Sequence, residues 1–300
     1  MPKVPLLIAL IAVAGAGLLL FPTVVSWFSQ YEQSQRIDDL TADVADLGSD
    51  RLREELDRAR AYNEDLVGGG ANLVANGRLP VAEEPDQAAE YDTLLRADRT
   101  GLMARLKIPA IAVDLPVSHG TSGPVLEHGV GHLEGTALPV GGESTRSVLT
   151  AHRGLATAEL FTHLDRVEVE DTFTVEVFGE VLTYRVIDTR VVEPTDGESL
   201  FPVEGRDLLT LVTCTPLGVN SHRILVTGER VIPTPQADLD SAGQSPEIPT
   251  FPWWVLTATG VLGTAGVYVW LSGRPRARPA VATGGADPAR AVPRRLRGAD

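Results

Sequence analysis

The stretch LLTLVTCTPLGVNSHRILVTGERV, residues 208–231, contains two β-type runs separated by a turn with Pro and Gly. The runs are Leu208–Cys214 and His222–Gly228, and both are rich in branched apolar residues. Opposite residues of an antiparallel hairpin share a constant index sum, and a sum near 437 places Arg223 beside Cys214. The stretch therefore predicts a β-hairpin whose first strand ends at the only cysteine of the chain.

Similar short runs precede this hairpin from residue 101 onward. They are Leu102–Ile108, Val113–Val117, Ser147–Ala151, Thr172–Phe178 and Val181–Val192. Gly, Pro and acidic residues separate them, and residues 178–181 are typical of a hairpin turn. So many strands within residues 101–232 predict an all-β sandwich or barrel.

Each end of the chain carries an uncharged apolar segment. Residues 1–28 include Pro5–Phe28, which exceeds the roughly 20 residues that span a membrane. A cleaved signal peptide is the alternative, but its apolar region is usually about 7–15 residues. Residues 251–271 form the second segment, and Arg274, Arg276 and Arg278 follow it. The positive-inside rule predicts a cell-membrane protein with both termini in the cytoplasm and the middle outside.

The charge is distributed unevenly. The chain of 300 residues has a formal net charge of −14, yet the two ends are basic. Residues 29–250 hold 18 Lys and Arg against 38 Asp and Glu, a net charge of −20. Such an acidic protein is not expected to bind nucleic acid, because phosphate contacts need a surplus of cations. The basic tail, residues 272–300, has a composition typical of disorder.

Three connecting segments complete the organisation. Residues 29–66 have helical spacing and predict one or two helices, interrupted at Gly48-Ser49, that act as a spacer. Residues 67–100 lack periodicity and predict a lid or linker loop. Residues 233–250, with their Pro, Ser and Gly, predict a linker back to the membrane.

The candidate chemistry centres on Cys214. A lone cysteine is most often a small buried hydrophobic residue, but the end of a strand is also where catalytic groups tend to lie. A nucleophilic thiol needs a base and a stabilising cation, and Arg223 is a candidate for the cation. His152 also ends an apolar run, yet the residues alone do not select it among six histidines. His128 and His132 have a possible metal spacing without a third ligand, so no metal site is expected.

At these residues the sequence resembles the class C, pilus-assembling sortases of Gram-positive bacteria. The matching stretches are KIPAI (107–111), LPVSHGTS (115–122), GVGHLEGT (129–136), LPVGG (138–142), LTAHRG (149–154), TLVTCTP (210–216) and GVNSHR (218–223). The resemblance covers roughly residues 100–232 and implies an eight-stranded β-barrel. It implies Cys214 as nucleophile, His152 as acid and base, and Arg223 as transition-state stabiliser, with no metal or organic cofactor.

The resemblance also implies substrates and partners. Cys214 would cleave an LPXTG-like sorting signal through a thioacyl intermediate, and a pilin lysine amine would resolve it to an isopeptide bond. Class C enzymes usually carry an Asp-Pro-aromatic triplet in a lid before the barrel, whereas residues 67–100 contain only Glu84-Pro85-Asp86. Two alternatives remain open: a sortase that anchors surface proteins to peptidoglycan, and a non-catalytic membrane-tethered β-module. The chain is not itself an LPXTG-bearing substrate, since residues 236–252 contain no such signal.

Overall fold

The structure is a computed structural model that describes residues 3–68, 90–97, 101–246, 249 and 251–274. The described residues within Met1–Ala16 and Thr259–Asp300 form one compact unit, and those within Gly17–Ala258 form the other. Two described helices are long and apolar enough to cross a membrane: α1 (Lys3–Asp46) and α5 (Trp253–Ser272). Helix α1 contains the apolar segment Pro5–Phe28, and α5 covers the second predicted segment, residues 251–271, except its first two residues.

Eight of the strands after residue 101 form a closed barrel. In chain order the strands of the structure are β1 (Leu102–Ile108), β2 (Val113–His119), β3 (Val130–His132), β4 (Thr145–Thr150), β5 (Arg153–Leu155), β6 (Ala158–Leu160), β7 (Thr172–Val177), β8 (Glu180–Val192), β9 (Asp207–Thr215) and β10 (His222–Arg230). The order around the barrel is β1-β2-β3-β4-β9-β10-β8-β7, while β5 and β6 form a separate small hairpin. The pairs β2–β3 and β4–β9 are parallel, and the other barrel pairs are antiparallel. The predicted eight-stranded barrel is therefore confirmed.

The seven predicted β runs match seven of the barrel strands to within a few residues. The predicted turn at residues 178–181 joins β7 to β8, with Phe178 and Gly179 both at positive φ. Two positive-φ residues in a two-residue connection give the backbone twist that tight hairpins require. Strand β3 and the β5–β6 hairpin are only three residues long per strand, and the sequence pattern did not predict them.

The remaining short helices lie between strands or after the last strand, β10. They are α3 (Gly123–His128), α4 (Gln236–Asp240) and the 3-10 turns Pro109–Ile111, Leu164–Arg166 and Glu198–Leu200. Helix α4 lies within the predicted linker of residues 233–250. The Asp238 carboxylate accepts a 2.7 Å hydrogen bond from the Thr183 hydroxyl of β8, so this part of the linker contacts the barrel.

Helix α2 (Ser49–Gly68) is part of the barrel's core. Gly48, at φ 75°, separates it from α1, as the sequence predicted. Leu56, Ala59 and Tyr62 are buried in the main apolar cluster of the barrel. The segment interpreted as a spacer therefore also supplies one face of the folded domain.

The lid or linker prediction falls mostly on residues 69–89 and 98–100, which lie outside the described residues, as does the tail from residue 275. Residues 90–97 are described, and they place Tyr91, Leu94 and Leu95 in the core. The Tyr91 hydroxyl accepts a hydrogen bond from the Gly120 amide and contacts His132 Nδ1, both at 2.9 Å. This segment is thereby fixed to the barrel.

Candidate active site

Cys214 and Arg223 are direct partners in the β9–β10 ladder, as the index sum predicted. Cys214 is a free, half-buried thiol located between the buried Thr213 and the exposed loop that joins the two strands. Directly opposed residues of an antiparallel pair have Cβ atoms about 4.5–5.5 Å apart. The Cβ atoms of Cys214 and Arg223 are therefore adjacent, at the end of the β9–β10 hairpin nearest its connecting loop.

The Arg223 guanidinium is held by its own loop. Its Nη1 donates hydrogen bonds to the carbonyl oxygens of Asn220, at 3.1 Å, and His222, at 3.0 Å. His222 is exposed, and its Nδ1 contacts the Ser221 hydroxyl at 2.9 Å. Because successive residues of a strand alternate, the His222 side chain lies on the opposite side of the strand from Arg223.

The parallel register of β4 and β9 leads along the two strands toward His152 and Cys214. The ladder runs from Thr145–Asp207 to Thr150–Val212, a constant offset of 62 residues. The offset persists past the last ladder pair, because the Thr213 hydroxyl donates to the Ala151 carbonyl at 2.8 Å. Continued by one residue, the same offset aligns His152 with Cys214.

Cys214 and Arg223 lie on the outer face of the barrel wall. Val148, Val212 and Leu225 belong to a second buried cluster, separate from the barrel interior. Alternation along β9 and β10 places Cys214 on the side of Val212 and Arg223 on the side of Leu225. Leu133 and Leu200 complete this cluster. The thiol and the guanidinium therefore lie next to a buried apolar cluster.

Two other histidines, the buried His132 and the half-buried His119, are engaged by backbone carbonyls. Burial lowers the pKa of His132 to about 4, and its Nε2 lies 2.9 Å from the Ala137 carbonyl oxygen. Burial also lowers the pKa of His119, whose ring nitrogens lie 2.8 and 2.9 Å from the carbonyls of Leu94 and Gly101. His128 is half-buried at the end of α3. Within the described ranges no three His, Cys, Asp or Glu residues form a group that would hold a metal ion.

Sequence reasoning missed the role of Arg153, the residue that follows His152. Its side chain is 9% exposed, and its Nη2 lies 2.7 Å from an Asp165 carboxylate oxygen. Its Nη1 donates to the Thr215 hydroxyl at 2.8 Å, and its Nε donates to the Thr162 carbonyl at 3.1 Å. No local sequence pattern signals these contacts, because the offset of 62 that aligns Arg153 with Thr215 is set by the parallel β4–β9 pairing.

Comparison with known proteins identifies the family to which this barrel belongs. Residues 106–231 match the sortase domain family model. Sortase C1 of Streptococcus agalactiae is 40% identical, with a TM-score of 0.62, and the match covers 67% of this chain and 100% of that chain. Sortase C of Streptococcus pneumoniae, whose crystal structure is described in terms of catalysis and pilin substrate specificity, is 38% identical with a TM-score of 0.56, covering 66% and 96%.

A curated relative gives the same result at greater distance. Sortase D of Bacillus subtilis is 30% identical over 129 residues, which cover 42% of this chain and 62% of the relative. The chain thus spans less than two thirds of that protein's length. The chain belongs to the sortase family, and its solved structural neighbours include class C sortases.

Proposed function

We propose that the protein is a membrane-anchored cysteine transpeptidase that cleaves LPXTG-like sorting signals and joins pilin subunits through lysine isopeptide bonds. The observation that supports the proposal is the cross-strand pairing of Cys214 with Arg223, together with a β4–β9 offset that, continued past its last pair, aligns His152 with Cys214. In this mechanism the Cys214 thiolate attacks the threonine carbonyl. The C–N bond to glycine breaks, and His152 donates a proton to the departing amine.

The second half of the reaction regenerates the enzyme. The product of the first half is a thioacyl enzyme, and a lysine amine of a second pilin attacks its carbonyl. His152 accepts a proton from that amine, the Cys214 sulfur leaves, and an isopeptide bond remains. Arg223 donates hydrogen bonds to the oxyanion that forms in each half-reaction. Exclusion of water from the edge favours the amine over hydrolysis.

The acceptor is the part of the proposal with the strongest competitor. The similarity to class C structures favours a pilin lysine. The absence of an Asp-Pro-aromatic triplet from residues 67–100 favours a sortase that attaches surface proteins to peptidoglycan. Both reactions share the thioacyl enzyme and differ only in the amine that resolves it.

The two apolar helices set the proposed location. They fit an enzyme anchored in the cell membrane at both ends, and the Arg residues after α5 favour a cytoplasmic C-terminus. Lys3, before the first apolar segment, favours the same side for the N-terminus. The barrel would then lie outside the cell, where sorting-signal substrates are displayed.

The test uses full-length enzyme in detergent with an LPXTG peptide. Wild type should form a thioacyl adduct detectable by mass spectrometry, and Cys214→Ala should form none. Continued turnover by Cys214→Ala would overturn the nucleophile assignment. Supplying a pilin domain and a peptidoglycan stem peptide as competing acceptors then separates the two functions by the mass of the product.

A further inference from the structure

His152 directly precedes the β5–β6 hairpin, which is a separate sheet outside the barrel. The Phe161 amide donates to the His152 carbonyl at 3.1 Å, so the backbone of His152 is fixed from the side of the hairpin. The Gly154 amide donates to the Thr162 hydroxyl at 3.1 Å. These bonds hold the hairpin together, but they do not relate it to β9, which carries Cys214.

The backbone ladder between β4 and β9 ends before it reaches the candidate site. Its last pair is Thr150–Val212, and the last backbone bond runs from the Ala151 amide to the Val212 carbonyl at 3.2 Å. Beyond that pair, the alignment of the two segments depends on hydrogen bonds made by side chains. The bond from Arg153 Nη1 to the Thr215 hydroxyl, at 2.8 Å, lies one residue past the His152–Cys214 level.

Arg153 joins three separate parts of the fold. One acceptor is Thr215 on β9, the second is the Thr162 carbonyl after β6, and the third is the Asp165 carboxylate on the following 3-10 turn. The planar guanidinium presents its donors in a fixed fork, whereas a lysine ammonium has no such geometry. The Arg153 side chain is only 9% exposed, and each of its nitrogens contacts a partner. Its contacts therefore fix the relative positions of these three parts of the fold and do not serve solubility.

We infer that Arg153 is a positioning residue for the transpeptidase reaction: it holds His152 level with Cys214 where the strand ladder no longer does. This inference rests on the proposed function and deepens it. Proton transfer between the imidazole, the thiol and the departing amine depends on sub-ångström placement, and a displacement of about 1 Å can cost about 10²-fold in rate. Arg153 acts through His152 and does not touch the substrate.

The experiment compares Arg153→Ala, Arg153→Lys and Thr215→Val with wild type, all as full-length protein in detergent. Arg153→Ala should lower kcat for an LPXTG peptide by about 10²-fold while KM changes by less than about threefold. It should also displace the pH–rate profile and the pH dependence of Cys214 alkylation, because the imidazole no longer faces the sulfur. Arg153→Lys should restore only part of kcat.

Thr215→Val keeps the test decisive if Arg153→Ala does not fold. It removes a single hydroxyl, so the protein should stay folded with at most a small fall in melting temperature, and kcat should fall about tenfold. In a folded Arg153→Ala background, Thr215→Val should lower kcat little further, because Arg153→Ala has already removed the hydrogen bond to Thr215. Arg166→Ala is the matched control: this exposed arginine in the same 3-10 turn should leave kcat and the pH profile unchanged.

The outcomes separate the inference from the function on which it rests. If Cys214→Ala still turns over the peptide, the proposed function fails. If turnover requires Cys214 but Arg153→Ala and Thr215→Val retain wild-type kcat and pH profiles, the positioning role is overturned. A loss of melting temperature with an unchanged pH profile and alkylation rate would assign Arg153 a purely structural role.

Discussion

Cys214 and Arg223 are direct cross-strand partners, and the arginine is held in place by two carbonyl oxygens of its own loop. This restraint reduces the rotamer freedom that a long side chain would otherwise lose when it binds a developing oxyanion. The preorganised cation makes a specific prediction about substitution by lysine.

Arg223→Lys should lower kcat/KM for an LPXTG peptide by about 10²–10³-fold, the usual cost of removing an oxyanion donor. The charge is retained, but a lysine lacks the fork that contacts two carbonyls and an oxyanion together. Steady-state kinetics measure the change, and Arg185→Lys, an exposed arginine on β8, is the matched control. Activity within about threefold of wild type would remove Arg223 from the mechanism.

Asn63 makes a second prediction, about stability. Its side-chain amide donates to the Leu138 carbonyl at 3.0 Å, and its side-chain oxygen accepts from the Leu138 amide at 2.7 Å. Both residues are buried. Asn63→Ala leaves a backbone donor and acceptor without partners inside the domain, so we expect a loss of about 2–4 kcal/mol in the free energy of unfolding.

Chemical unfolding of the full-length protein in detergent measures this loss. Glu64→Ala changes the neighbouring exposed residue and should stay within about 0.5 kcal/mol of wild type. Equal stabilities of the Asn63→Ala and Glu64→Ala proteins would show that α2 does not depend on this pair.

The sequence predicted much of this arrangement because the relevant patterns are local. The Cys214–Arg223 pairing follows from one hairpin, whose short loop fixes the register. The position of His152 depends on the parallel β4–β9 pair, which joins residues 62 positions apart, and no local pattern encodes that offset. The packing of α2 against the barrel was also not predicted, because the apolar stripe of α2 would suit a free amphipathic helix equally well.

The very short elements were missed for a different reason. Strand β3 and the β5–β6 hairpin have three residues per strand, too few for alternation to be recognised. Their conformations are fixed by tertiary contacts. Gly131 in β3 shows this, because a Cβ at that position would clash with the Gly120 carbonyl oxygen.

Gly154 carries the third prediction. It has a φ of +74°, and a Cβ there would clash with the Leu217 side chain of the β9–β10 loop. Gly154→Ala should therefore displace the Leu217 side chain, add the backbone strain of a positive φ, and lower kcat. Gly218 has a similar φ of +77°, but a Cβ added there would meet open space among the described residues. Gly218→Ala is therefore a control that adds only the backbone strain.

A double variant separates the clash from the strain. Gly154→Ala combined with Leu217→Ala removes the obstructing side chain and should recover kcat to the level of Leu217→Ala with Gly218→Ala. Failure of the double variant to recover activity, despite normal folding by circular dichroism, would contradict a steric cause.

The last prediction concerns pH and the buried His132. Burial lowers its pKa in the folded protein to about 4, whereas the usual value in an unfolded chain is about 6.5. Between these two values the unfolded state binds one more proton than the folded state, so stability must fall as the pH is lowered from about 6.5 to 4. This pKa difference corresponds to about 3 kcal/mol in the free energy of unfolding from His132.

His132→Gln removes the titration while keeping a donor for the Ala137 carbonyl and an acceptor for the Tyr91 hydroxyl. Unfolding measured across this range should show wild type losing about 3 kcal/mol more than His132→Gln, because the carboxylates and His119 titrate in both proteins. His128→Gln, at a half-buried histidine of α3, should follow wild type. Parallel curves for wild type and His132→Gln would show that His132 does not set this dependence.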